Sequence, residues 1–198
     1  MPLEILINLD KTLALFVNNL AGRWWPLDEL VKGLANDYFL IVGASLGLLV
    51  LWFGTPEASR RDLNQKLALQ AMASLGLAAW LVSYLNDALF RPRPFDEIAV
   101  TALLYQPTDS SFPSNSAAIL FGLAIAVWLG NRKAGRVFLL IAAVHSVARV
   151  IAGMHYPLDI VGGAAIGGLI ALGVRWLFGL LAPVVTMLLK LARAVFLA

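Results

Sequence analysis

The chain has 198 residues, of which 60% are hydrophobic and 14% charged, with a mean hydropathy of +0.80. A soluble domain of this length cannot hide so much apolar surface, so the composition points to an integral membrane protein with room for one domain. Zero cysteines exclude disulfides, thiol catalysis and cysteine-held metal, while a net charge of +3 with no basic, aromatic-interleaved stretch argues against a nucleic-acid partner.

The opening segment places Ile5, Leu6, Leu9, Leu13, Phe16, Val17 and Leu20 at helical spacing, mixed with Glu4, Asp10, Lys11, Asn18 and Asn19. This predicts an amphipathic helix at the membrane interface, or a sixth span if its polar side packs on protein. Nothing at the start has the pattern of a removable signal peptide. Trp24-Trp25-Pro26 reads as an interfacial anchor followed by a helix start. Five apolar runs then suit crossing a bilayer, which takes about 20 residues: Tyr38 to Phe53, Leu67 to Phe90, Ser114 to Leu129, Val137 to Gly153 and Leu158 to Phe178. The tail, residues 184–198 with Lys190 and Arg193, predicts a second surface helix.

The expected fold is therefore all-α, an integral membrane bundle of five or six transmembrane helices with an amphipathic N-terminal helix. One domain covers 1–198, with an interfacial part at 1–36, a core at 38–178 and an amphipathic tail. Arg60, Arg61, Lys66, Arg132, Lys133, Arg136 and Arg175 gather on one side, which the positive-inside rule makes cytoplasmic. The 90–113 connection and the Met154–Pro157 turn fall on the other side. Arg91 and Arg93 break the charge rule there, which asks for a local reason.

That side collects the residues with chemistry. Arg93 lies in "FRPRPF", where two prolines deny helix continuation. Arg149 sits about one turn before its span ends, His155 follows in the turn, and Asp159 lies in the first turn of the last span behind Pro157. Ser114 is a natural N-cap, so the amides of Ser114, Asn115 and Ser116 can face an anion. Guanidinium forks match phosphate oxygens, and a carboxylate holding one imidazole nitrogen frees the other as a nucleophile. Asp96, Glu97 and Asp109 are expected to serve loop solvation, and His145 a structural role. Gly163-Ala-Ala-Ile-Gly167 reads as a helix-packing face, because no strand precedes it to make a nucleotide loop.

Arg93-Pro94, Pro113-Ser114 and Arg149-x5-His155-x3-Asp159 together resemble the three-part signature of the membrane type 2 phosphatidic acid phosphatase family, whose consensus is K-x6-R-P, P-S-G-H and S-R-x5-H-x3-D. "FRPRPF" and "HYPLDIVGGA" are most similar to its bacterial undecaprenyl-diphosphatase branch. The resemblance covers residues 38–178. It implies a lipid phosphatase of the bacterial cytoplasmic membrane, with the site on the extracytoplasmic side and no cofactor or metal. The implied substrate is a polyprenyl diphosphate held among membrane lipids, and nothing in the chain sets an oligomeric state. His155 would be the nucleophile, Asp159 its orienter, Arg93 and Arg149 the phosphate clamp, and Ser114 with Asn115 further phosphate-binding groups. Asn86, at the consensus lysine, and Arg91 are candidate substrate contacts.

Asn86, Asn115, Ala148 and Ser116 depart from the consensus, and Ser116 matters most because it stands where the family has its general-acid histidine. General acid–base catalysis contributes about 10²–10⁴-fold, and a serine hydroxyl cannot supply it near neutrality. The loss depends on the leaving group. A phosphate monoester, with a second pKa near ~6, departs from a diphosphate more readily than an alkoxide departs from phosphatidic acid. Two readings stay open: a chain active with Ser116 that favours diphosphates, or a histidine replaced so that the enzyme is silenced or trapped. Two rival functions stand beside the diphosphatase: another lipid phosphate phosphatase (of phosphatidic acid or phosphatidylglycerophosphate) or a lipid phosphotransferase, and a non-catalytic member that binds lipid diphosphates.

Overall fold

The structure, a computed structural model, describes residues 2–194. Within them the chain forms α1 (Pro2–Asn18), α2 (Trp25–Ala35), α3 (Phe39–Phe53), α4 (Ala58–Ala88), α5 (Pro94–Glu97), α6 (Asn115–Trp128), α7 (Arg132–Ile151), α8 (Pro157–Leu180) and α9 (Ala182–Ala194), with no strand among the described residues. By length and composition three helices, α4, α7 and α8, can each cross a membrane, and a bent α2–α3 pair makes a fourth. Of the five expected spans, 114–129 is thus realised as a 14-residue helix, too short to bridge the hydrocarbon alone.

The reason is position. α6 lies at the centre, packed on α4, α7 and α8, with nine of its residues buried, so it meets protein rather than lipid. Its small residues let backbones approach. A Cβ added to Gly122 would lie 3.3 Å from the Gly167 carbonyl oxygen, and one on Gly167 would run into the Ala118 carbonyl. The expected Gly163–Gly167 packing face is therefore the α6–α8 contact. Leu48, Leu120, Leu123, Val127 and Phe138 fill the core beside it.

α1 is amphipathic in an inverted sense. Ile5, Leu9, Leu13 and Phe16 are exposed, while Asp10, Ala14 and Asn18, spaced four apart, are buried. Asn18 donates to the carbonyls of Thr101 (2.9 Å) and Ile151 (2.8 Å). Its polar side therefore packs on protein and its apolar side faces outward, as a lipid environment requires.

α2 and α3 meet at a 52° bend. There the Asn36 side chain accepts from the amides of Tyr38 (2.9 Å) and Phe39 (3.1 Å), capping α3. At the opposite end Asn131 bonds Asn64 (3.2 Å), and Arg193 of α9 reaches Asp62 (2.9 Å) and Gln65 (2.7 Å). The last four residues of the expected tail helix lie outside the described residues.

Candidate active site

Gly153, at φ +73°, takes the left-handed conformation that ends α7 and reverses the chain. Met154 then donates to the Arg149 carbonyl (3.0 Å), and the turn brings His155 back beside Arg149. Pro157 opens α8, and Asp159 accepts from the Tyr156 amide (2.8 Å), closing the same turn. The 3.6-residue repeat alone cannot bring His155 and Arg149 together; the left-handed turn does.

His155 is buried, with Nδ1 3.0 Å from the Ser111 carbonyl oxygen. A carbonyl only accepts, so Nδ1 carries the proton and Nε2 presents a lone pair. Nε2 lies 3.5 Å from a guanidinium nitrogen of Arg93 and 3.4 Å from one of Arg149. Burial, first, and the two nearby guanidiniums push the His155 pKa down to about 4 against a partial upward pull from Asp159. The imidazole is thus neutral, the form that can attack phosphorus.

Each arginine is held by backbone and carboxylate. Arg93 donates to the Asp109 carboxylate (2.8 Å), the Asp109 carbonyl (3.2 Å) and the Met154 carbonyl (3.0 Å). Arg149 donates through Nη1 to Asp37 (2.5 Å) and the Ala35 carbonyl (3.1 Å), both at the α2–α3 bend. Its Nε is buried with no hydrogen-bond partner among the described residues. That leaves the Nε–Nη2 edge of Arg149 without a carboxylate or carbonyl partner among the described residues.

A cavity of about 380 Å³ joins these groups, lined by Asp37, Asn86, Arg93, Tyr105, Asn115, Ser116, Arg149 and His155. Ser116 lies 3.4 Å from the Ser114 hydroxyl. The Asn86 amide nitrogen, in the orientation that satisfies both neighbours, donates to the carbonyls of Phe112 (3.0 Å) and Pro113 (3.1 Å).

Three of the expected site residues are engaged with other groups of the protein. Ser114 is fully buried: its hydroxyl caps the Ala117 amide (3.4 Å) and its own amide donates to the Asp159 carbonyl (3.0 Å), so that amide does not face an anion. Arg91 does not line the cavity; it donates to Asp10 (2.7 Å) and Asp159 (2.6 Å). Asp159 stands 3.9 Å from Nδ1 of His155, too far for a hydrogen bond, and reaches it through Ser111, whose hydroxyl it accepts at 2.5 Å. The expected solvating carboxylates also have partners: Asp96 accepts from the Arg93 amide (3.2 Å) and Glu97 from the Tyr156 hydroxyl (2.9 Å). His145, one turn below Arg149, bonds the Leu34 carbonyl (2.9 Å) through Nδ1, away from the cavity lining.

Two arginines and a histidine thus meet in one cavity of a helical bundle. The sequence profile of the PAP2 superfamily matches residues 67–182, more than half of the chain, and the chain belongs to that family of lipid phosphatases. It is 29% identical over 162 residues to the bacitracin transport permease protein BcrC of Bacillus licheniformis, covering 81% of this chain and 76% of that one. It is 28% identical over 159 residues to the undecaprenyl-diphosphatase BcrC of Bacillus subtilis (strain 168), covering 79% of each. The solved first transmembrane PAP2 type phosphatidylglycerolphosphate phosphatase from Bacillus subtilis shares the fold at a TM-score of 0.61 and 21% identity, covering 87% of this chain and 86% of that one.

Proposed function

We propose that the chain hydrolyses undecaprenyl diphosphate to undecaprenyl phosphate and inorganic phosphate from the extracytoplasmic face of the cytoplasmic membrane. The observation that carries this reading is the lone pair of His155 Nε2, held in the cavity 3.5 and 3.4 Å from the two guanidiniums. The terminal phosphate sits against Arg93, the open edge of Arg149 and the start of α6. Nε2 attacks its phosphorus; the Nε2–P bond forms as the P–O bond to the bridging oxygen breaks, and undecaprenyl phosphate leaves with that electron pair. The Nδ1–H stays bonded to Ser111, and Asp159 nearby stabilises the cationic phosphohistidine. Water then attacks phosphorus, the Nε2–P bond breaks, and inorganic phosphate departs. Clamping and covalent catalysis share the work.

Ser116 lines the cavity where the family consensus has its acid, and it supports a diphosphate over a phosphate monoester. A leaving phosphate needs protonation far less than an alkoxide. The deciding experiment is phosphate release from undecaprenyl diphosphate in detergent without added metal, comparing the chain with Ser116→His. Ser116→His should raise the rate at least about tenfold, and His155→Ala in that background should abolish it. If neither version releases phosphate from any lipid phosphate tried, the hydrolytic reading fails and diphosphate binding alone replaces it.

A further inference from the structure

We propose that Asp10 and Arg91 form a positioning pair that fixes which nitrogen of His155 carries the proton, so that α1 is part of the active-site machinery. The inference rests on the role given to His155 above. It explains why Arg91 departs from the positive-inside pattern. It also explains why α1, which lies outside the residues matched by the superfamily, keeps a carboxylate on its protein-facing side.

Asp10 is 2% exposed on a helix whose apolar side chains point outward. A buried carboxylate is costly unless paired, and Asp10 is fully engaged. One oxygen accepts from Arg91 (2.7 Å) and the other from the Leu158 amide in the first turn of α8 (2.9 Å). Arg91 uses its other terminal nitrogen for Asp159 (2.6 Å), and its guanidinium carbon lies over the Tyr156 ring, 4.0 Å from the centroid. A planar fork can bridge two carboxylates in this way; an ammonium point charge cannot hold both in one plane.

Asp159 passes the constraint on. Its Oδ1 is held by Arg91, while Oδ2 takes the Ser111 hydroxyl (2.5 Å) and the Tyr156 amide (2.8 Å). Ser111 in turn offers its carbonyl to Nδ1 of His155 (3.0 Å). A continuous chain of contacts therefore runs from α1 to the imidazole: Asp10, Arg91, Asp159, Ser111, His155. Loosening it frees the Ser111 carbonyl and lets the proton move to Nε2. That nitrogen then has no lone pair for phosphorus.

The test reads the tautomer directly. The chain has two histidines, so ¹⁵N-histidine NMR of the full-length protein in detergent, with His155→Ala assigning the signals, resolves both rings. The chain as it stands should show His155 protonated on Nδ1. Asp10→Asn should give an averaged, mixed-tautomer signal, and in the Ser116→His background it should lower kcat about tenfold with KM changed less than about twofold. Should Asp10→Asn fail to fold, Arg91→Lys serves instead and should give the same mixing. An unchanged His155 signal in a folded variant overturns the positioning pair. If His155→Ala retains phosphate release, the function proposed above falls, while the tautomer signal still decides whether Asp10 and Arg91 position the ring.

Discussion

At the scale of residues, the charge state of His155 sets a pH signature. Its pKa falls from 6.5 in the unfolded chain to about 4 in the fold. Between those values the unfolded chain binds a proton that the folded chain refuses. This group's contribution is therefore fully present above the unfolded value and is lost as pH drops from 6.5 towards 4. Thermal unfolding in detergent should show His155→Gln losing less stability than the parent between pH 7 and pH 5. Asp37 holds Arg149 from its far side and leaves the Nε–Nη2 edge for the ligand. Asp37→Asn should weaken inhibition by orthovanadate about tenfold, equivalent to ~1.4 kcal/mol. The sequence points to His155, Arg93, Arg149, Asn115 and Ser116 because they fall in three short runs that resemble a known signature, and the fold brings those runs to one cavity. Asp10, Asp37 and Ser111 are not. Their partners lie 81, 112 and 48 positions away, and a lone aspartate or serine in a loop reads as solvation until the fold supplies the arginine.

At the scale of elements, the contact between α6 and α8 fixes how the site is framed, because α6 starts at the cavity and α8 carries Asp159. Gly167 has backbone of α6 where a side chain would go, while a Cβ on Gly173 of the same helix would meet nothing within 4 Å. Gly167→Ala should therefore destabilise the protein by about 1–3 kcal/mol through overpacking, and Gly173→Ala should be neutral or slightly stabilising through its helix propensity. Denaturant titration of the two variants separates them. Hydrophobic runs located the helices well, and the Gly163–Gly167 spacing announced a packing face. The runs did not show that α6 is short, because a buried helix and a lipid-facing one share the same composition. Nor did they show the α2–α3 bend, where the side chain of Asn36 and the carbonyls beside it, rather than apolarity, decide the geometry.

At the scale of the whole molecule, alternating helix directions put the basic residues of 60–66 and 132–136 at one end and the His155 cavity at the other. Asn131 joining Asn64 and Arg193 joining Asp62 pin the first end, and the α1 network pins the second. This division suits a lipid phosphatase: exposed apolar helix sides that fit a bilayer, and at one end a cavity lined by two arginines and a neutral histidine. Composition alone shows the membrane bundle. The chain of contacts from Asp10 to the imidazole appears only when distant segments meet.

The central claim is that His155 itself takes the phosphoryl group, and the most direct measurement is trapping it. Undecaprenyl diphosphate is mixed briefly with the Ser116→His protein, quenched in alkali to preserve phosphohistidine, and the peptides are read by mass spectrometry. A mass increment of one phosphoryl group on the peptide carrying His155, acid-labile and missing in His155→Ala, is the predicted result. Rapid phosphate release with no such adduct on His155, undiminished by His155→Ala, would contradict the account.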